Sequence, residues 1–465
     1  MKKKRSLIIG SGIFSFLLFI GYFVFFGETT KQSIVLNTLS IAKTTSQLLP
    51  IDRDTKDIIE VSNTLSHELL ANDNISRRYL LLLQNNYELR PGGGFLGQYA
   101  VVEMKNGEVT KLFFEDANLL DQRIMAKVAA PYPFKEMMSI KNWKFRDSNF
   151  SPDFPTNVEK VLYFYRLSGG NSQFDGVISV NAEVLNRILA ITGPITVPGY
   201  NKTFTSDDGA WNLEEIVERA YLGENVPAEV KEQRKNIMKK MAVILVDELM
   251  SLNNIPKLAD FAKTQMEEKN VMLWFRDERL QALIENVHWD GKVIQEWGGD
   301  YIMAVDANMG ALKSDYFIER SMEYVLDITG EVPVATLTYI YKHTAPFGDW
   351  RTSDYHSYLR VYVPEGSTLL EREMVGYPIT RDEFGKTYFG AKLDVLIGGE
   401  TKAKFVYQLP ERFEDIKEYN LLIQKQSGTK DIPVSVLIKT KDGEYLQEDV
   451  VKKDITYEYA IQNDI

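Results

Sequence analysis

Residues 6–26 form a run of twenty-one residues without a formal charge, directly after Lys2, Lys3, Lys4 and Arg5. At about 1.5 Å of rise per residue, such a helix covers the roughly 30 Å hydrocarbon core of a bilayer. The basic cluster stays on the cytoplasmic side, which sends everything after Gly27 outward. A cleaved signal peptide is the rival reading, with an apolar stretch of about 7–15 residues ending at small side chains. Here the run ends Phe23-Val24-Phe25-Phe26-Gly27-Glu28, without an A-x-A pattern. The expectation is an uncleaved single-pass anchor in the cell membrane, with the N-terminus cytoplasmic and the bulk extracellular. Mean hydropathy is −0.23 despite this start, and no second run approaches the length needed to span.

Beyond the anchor, a chain of 465 residues has length enough for two or three domains that each bury a core. The net charge is −11 and no Lys/Arg tract occurs after the anchor, which argues against nucleic acid as a partner. The absence of cysteine rules out disulfides, thiolate zinc sites and a cysteine nucleophile. The four histidines, at 67, 288, 343 and 356, lack zinc-site spacing, and no G-x-S-x-G motif is present. A loop between His343 and His356 contains Trp350 and Tyr355, which could stack on a sugar or simply form a loop tip or domain contact.

Residues 28–74 read as two helices broken near Pro50, either a stalk or a helical pair packed on the next domain. Residues 75–312 read as one α/β domain. Strands are expected at 78–84, 98–104 and 109–114, the last two joined by Asn106-Gly107, a strong hairpin signal. Next come helix 158–165, strand 174–180, helix 182–191 and strand 195–197, then helices at 211–221, 228–252 and 255–268. Residues 271–275, 277–286 and 301–305 read strand, helix, strand, so a sheet covered by helices is implied. From 313 to 465 the runs at 316–327, 333–342, 356–363, 386–396, 402–408, 419–424, 432–439 and 443–448 suggest a β-sandwich of immunoglobulin-like type. The expected class is therefore mixed, α+β with α/β: anchor (1–27), helical stalk, α/β domain and C-terminal sandwich.

The stretch Leu83-Gln84-Asn85-Asn86-Tyr87-Glu88-Leu89-Arg90-Pro91-Gly92-Gly93-Gly94-Phe95 ends an apolar run in polar side chains and three glycines. A strand of this kind delivers charges to a loop whose backbone is free to approach another group closely. The stretch resembles the signature of the bacterial proteins grouped as domain of unknown function 4012. The likeness continues in Phe174-Asp175-Gly176-Val177-Ile178-Ser179-Val180 through Ile191-Thr192-Gly193-Pro194-Ile195. It recurs in Asp306-Ala307-Asn308-Met309-Gly310 with Lys313 and Asp315, and in Tyr358-Leu359-Arg360-Val361-Tyr362-Val363-Pro364-Glu365-Gly366. That resemblance implies a bacterial surface protein anchored by one helix and no agreed reaction.

The order of parts over 78 to about 250 also resembles the LytR–CpsA–Psr family, anchored phosphotransferases that move glycopolymers from polyprenyl-diphosphate carriers onto peptidoglycan. The shared parts are a strand ending in polar residues, the unit Asp175-Gly176-Val177 to Gly193-Pro194-Ile195, and a helix with Gln233-Arg234-Lys235. The chain departs from the pattern in three places. Glu115-Asp116-Ala117-Asn118 lacks the family's Arg-Asp pair, the helix reads Gln-Arg-Lys rather than Arg-Gln, and Asn85 and Asn86 replace the acidic strand end.

If the resemblance extends to chemistry, diphosphate transfer needs cations on phosphate oxygens and usually a carboxylate-bound Mg²⁺. Arg90, with the backbone of Gly92, Gly93 and Gly94, would hold the diphosphate, and Asp116 with Glu88 would hold the metal. Arg146, Asp147 and Arg234 complete the candidate ligand set, and Arg90 and Asp116 are the candidate catalytic pair. The plainer alternative is a glycine turn closed by an Arg90–Glu88 pair. Asp153, Pro155 and Thr156, with Glu159, likewise read as a helix start, and Arg234 and Lys235 as a solvated face. Two functions are thus in play: binding or transfer of polyprenyl-phosphate-linked cell-wall glycan, or a non-catalytic surface, adhesion or scaffold role through the sandwich.

Overall fold

The computed structural model describes residues 29–48, 50–219, 237, 240, 241, 244, 245, 248, 255–413 and 418–460. None of the described helices is long and apolar enough to cross a membrane. The expected anchor over 6–26 lies outside the described residues, as do Gln233, Arg234, Lys235 and most of the expected helix 228–252. The chain divides into two compact units, each discontinuous in sequence. The first takes residues up to Leu83 with Gln98–Asp116 and Gln173–Asp290; the second takes Gln84–Gly97, Ala117–Ser172 and Gly291–Ile465.

In chain order the first half runs α1 (Thr29–Leu48), α2 (Arg53–Leu70), β1 (Ser76–Asn85), β2 (Phe95–Lys105) and β3 (Glu108–Asp116). Then come α3 (Ala117–Arg123), α4 (Tyr132–Met138), α5 (Phe154–Leu167), β4 (Gly176–Asn181), α6 (Glu183–Thr192), β5 (Ile195–Thr196) and β6 (Thr203–Phe204). After α7 (Gly209–Arg219), α8 (Ile255–Glu267), β7 (Val271–Phe275) and α9 (Glu278–Asn286) the chain enters a long β region.

The first unit is a mixed α/β layer structure on a five-stranded sheet ordered β3-β2-β1-β4-β7. The Asn106-Gly107 hairpin forms as expected: Lys105 pairs with Glu108, and both turn residues take positive φ, 55° and 73°. The sheet's core joins Tyr79, Val102, Ile178 and Leu273 to Phe261 and Met266 of α8 and Leu280 and Ile284 of α9. Val61, Leu65 and Leu69 of α2 enter the same cluster, so Arg53–Leu70 is a packed layer of this unit rather than a free stalk. The period of its apolar positions admits both arrangements. Burial of side chains this size, at about 1.5–3 kcal/mol each, decides between them.

The second unit is dominated by β8 (Asp300–Asn308), β9 (Ile318–Asp327), β10 (Val334–His343), β11 (Tyr355–Pro364), β12 (Thr368–Glu373) and β13 (Ile379–Glu383). The remaining strands are β14 (Lys386–Val395), β15 (Glu400–Gln408), β16 (Glu418–Ile423), β17 (Ile432–Thr440), β18 (Gly443–Val451) and β19 (Ile455–Ala460). They build two six-stranded sheets, β12-β15-β10-β9-β17-β18 and β13-β14-β11-β8-β16-β19. Inward side chains of both sheets, among them Tyr324, Leu337, Leu359, Phe389, Phe405 and Leu421, share one hydrophobic cluster.

Two features correct the expected immunoglobulin-like sandwich beginning at 313. Strand β8 lies inside this sandwich, between β11 and β16, not in the α/β sheet. In addition, β8–β16 and β9–β17 pair in parallel, where an immunoglobulin-type sheet is antiparallel throughout.

Asp300, at the start of β8, is fully buried. Its carboxylate accepts the hydroxyls of Tyr324 and Tyr419 and, at 2.7 Å, the amide of Tyr301. Burial outweighs these bonds and pushes the carboxyl from 3.8 up to about 6. The folded chain therefore holds a proton that the unfolded chain has released between those values. This contribution is complete below the unfolded value and is lost as pH rises through about 6; two pH units correspond to on the order of 3 kcal/mol. Asp121, also pushed up to about 6, and Glu88, raised by burial, act in the same direction. The thermal midpoint is expected to be higher at pH 5 than at pH 7.5, and Asp300→Asn to narrow that gap. A scan showing equal or reversed midpoints in the wild type would refute this.

Candidate functional site

Strand β1 hands over to the glycine stretch through an Asx turn: the Asn85 side chain accepts from Tyr87 N at 3.0 Å, and Asn85 O accepts from Glu88 N at 3.2 Å. Two of the three glycine amides that a phosphate would need, and the amide of Phe95, are then used internally. Gly92 N donates to Asn149 O at 3.0 Å, Gly93 N to Arg90 O at 2.9 Å, and Phe95 N to Glu88 O at 2.8 Å. The glycines admit protein, not ligand. A Cβ on Gly94 would lie 2.4 Å from the Asn85 carbonyl carbon, and one on Gly428 would lie 1.8 Å from Gly93 O. The cavity bordering the loop, between Asn86, Leu89, Asp315, Arg320 and Gly428, measures about 10 Å³. That is room for one water at most, far too little for a diphosphate.

Arg90 is 1% exposed. One terminal nitrogen donates to Asn308 O at 2.7 Å, and the other to Glu88 Oε1 at 2.9 Å. The second also lies 3.6 Å from Asp147 Oδ1, and the guanidinium carbon is 5.4 Å from the Phe95 ring centre. Its Nε is buried without a partner. Burial raises the Glu88 carboxyl, against the opposing pull of Arg90 and Lys313.

On the far side of Asp147, Oδ2 is 3.6 Å from Arg146 Nε. Half-exposed Arg146 also donates to Asn118 Oδ1 at 2.6 Å and approaches Asp121 Oδ2 at 3.9 Å. Thus Glu88, Arg90, Asp147, Arg146 and Asp121 form a chain of alternating charge, three acids against two arginines.

The structure brings together four of the charged residues expected in the site, Glu88, Arg90, Arg146 and Asp147, beside the turn of Gly92, Gly93 and Gly94. Asp116 ends β3 opposite Gln98 in the first unit, and Arg234 lies outside the described residues. Glu88 is committed to Arg90. Among the described residues, no three His, Asp or Glu groups stand where they could share a metal ion. Of the two carboxylates that the resemblance assigns to magnesium, Glu88 is buried with Oε1 on the Arg90 guanidinium. Asp153 is a helix cap, accepting from Thr156 N at 3.0 Å, as the capping alternative has it. Tyr355 is fully buried, so it cannot stack on a sugar with Trp350.

Sequence reasoning missed what the loop is closed against. Asn308 N donates to Leu89 O at 2.9 Å, and Leu89 N to Asp315 Oδ2 at 2.9 Å. Gln426 Nε2 bridges Arg90 O at 3.1 Å and Asp306 O at 2.8 Å. Asp306, Asn308 and Asp315 stood in the sequence as a family motif, and their partner was hidden by the distance along the chain. Gln426 and Asp121 carried no signal.

Residues 74–221, which include the glycine loop and most of its acidic and basic neighbours, match the family described as "Protein of unknown function (DUF4012)". The chain carries a DUF4012 domain. Three solved structures resemble it in part. Lin1025 from Listeria innocua is 15% identical, with 46% of this chain and 79% of that one covered, at a TM-score of 0.25. Lmo1026 from Listeria monocytogenes gives 13%, 45%, 76% and 0.24. TagV of B. subtilis gives 14%, 46%, 80% and 0.26. Scores at that level transfer no site and no chemistry to this chain. No curated protein matches it.

Proposed function

We propose that this DUF4012-domain chain is a membrane-anchored protein of the cell envelope that engages envelope glycopolymer by binding, without transferring it. The uncharged run after the basic cluster supports the location. The order of parts shared with the LytR–CpsA–Psr family supports the glycopolymer. The single observation that carries the non-catalytic reading is Arg90: at 1% exposure, tied to Glu88 and Asn308 O, it cannot reach a lipid-linked diphosphate. A group meant to stabilise charge in a transition state must face the space where that charge develops. In this reading a structural ion pair stands where a phosphate loop would hold its ligand.

The test incubates the full chain with a polyprenyl-diphosphate oligosaccharide and purified peptidoglycan, with and without magnesium. Retention of the chain on the peptidoglycan and no release of polyprenyl phosphate are expected. Turnover above the protein-free control would overturn the non-catalytic reading, and failure to be retained would overturn the glycan reading.

A further inference from the structure

A second cavity of the sandwich unit, about 270 Å³, opens where the turn before β8 meets the 3₁₀ turn Glu411–Phe413 and the start of β16. Its walls are built rather than accidental. Trp297 is fixed by a 2.7 Å bond from Nε1 to Asp300 O, and Tyr419, 1% exposed, is held by its hydroxyl on the Asp300 carboxylate. A Cβ on Gly299 would lie 2.4 Å from Asn420 O and 3.0 Å from Trp297 Nε1, so only glycine brings those walls this close.

The polar side chains at the mouth have donors and acceptors to spare. Among the described residues, Glu418 and Asn420 make no side-chain hydrogen bond. Arg412 spends one terminal nitrogen on Glu365 O at 3.3 Å, with its guanidinium 5.0 Å from the Phe413 ring centre. Arg412 only donates, Glu418 only accepts, and Asn420 does both.

We infer that this cavity is a binding site for one neutral pyranose unit of a glycan, with half-buried Trp297 facing its C–H surface and Arg412, Glu418 and Asn420 taking its hydroxyls. The volume falls just below the roughly 300–1,000 Å³ of sites for drug-sized ligands, as a single small ring requires. The Trp297 ring provides an apolar surface for ring C–H groups, while hydroxyls that both donate and accept satisfy all three mouth residues. An anion would meet the Glu418 carboxylate, and a cation the Arg412 guanidinium. The proposal names a ligand class within the glycan-binding reading, and it stands on the cavity alone.

The test is saturation-transfer NMR on the full chain with methyl β-glucoside and methyl β-N-acetylglucosaminide. It uses a zwitterionic detergent free of sugar, because glycoside headgroups would compete. A Cβ at Gly298 meets open space, so Gly298→Phe adds bulk at the cavity without a backbone clash; Asn420→Ala removes one polar contact. Transfer to at least one glycoside is expected in the wild type. It should fall at least tenfold in Gly298→Phe and clearly in Asn420→Ala, with unchanged unfolding midpoints.

No transfer to either glycoside in the folded wild type would overturn the site, as would full transfer in Gly298→Phe. Peptidoglycan retention with either of these results would remove the cavity and leave the broader glycan reading standing. Lost retention with intact, Gly298-sensitive transfer would do the reverse.

Discussion

Arg320→Ala is expected to prevent the second unit from folding. Arg320 lies between two buried carboxylates, with Nε 2.8 Å from Asp306 Oδ2 and a terminal nitrogen 2.6 Å from Asp315 Oδ1. All three side chains are 3% exposed or less. The remaining carboxylate oxygens are occupied as well. Asp306 Oδ1 accepts Tyr341 Oη at 2.9 Å and Ser357 Oγ at 2.6 Å, and Asp315 Oδ2 accepts Leu89 N and Asn308 Nδ2.

Removing one partner of a buried pair typically costs about 3–5 kcal/mol. Here one deletion strands two anions that also repel each other, so the loss should be at least about 5 kcal/mol, comparable to a domain's whole stability. Arg320→Lys should recover little, because a compact ammonium cannot span two carboxylates as the planar fork does. Adding Asp306→Asn and Asp315→Asn to Arg320→Met should recover more. Urea unfolding of the full chain reads the result. A folded Arg320→Ala within about 1 kcal/mol of wild type would mean that these acids are neutral or solvated, contrary to the geometry.

How much of this was legible in the chain depended on whether the signal was local. The Asn106-Gly107 hairpin was readable because two positive φ values demand those residues, and strands such as β9 and β10 because burial alternates along them. Edge strands β12 and β13 were not, since Glu371, Arg372, Glu373 and Arg381, Asp382, Glu383 leave no apolar face to read. β8 was recognised as a strand but assigned to the wrong sheet. It is buried at every position, and a strand without alternation does not reveal which layer covers it.

The glycine stretch shows the same limit in the site. Arg90 beside Gly92, Gly93 and Gly94 reads identically whether it closes on a phosphate or on protein. The residue that decides, Asn308, lies 218 positions away.

That ambiguity yields to a double-mutant cycle on Arg90 and Glu88. If the pair is a structural closure, Arg90→Ala leaves Glu88 and Asp147 buried without their shared cation, at 6% and 4% exposure. It also deprives Asn308 O of its 2.7 Å donor. A loss of about 3–5 kcal/mol is expected. Glu88→Gln alone should cost less, because an amide oxygen still accepts from the guanidinium.

The double variant Arg90→Ala/Glu88→Gln, which closes the cycle, should lose less than the two single variants together, because the Glu88 charge that Arg90→Ala strands has gone. Urea midpoints and hydrogen exchange over residues 84–97 would report it. A ligand-holding arginine predicts the opposite pattern: Arg90→Ala as stable as wild type or more so, and no coupling to Glu88. Cations gathered for a ligand repel one another until it arrives, so deleting one relieves strain. Arg90 instead sits among acids that it neutralises, and the sign of its effect on stability separates an anion site from a clasp.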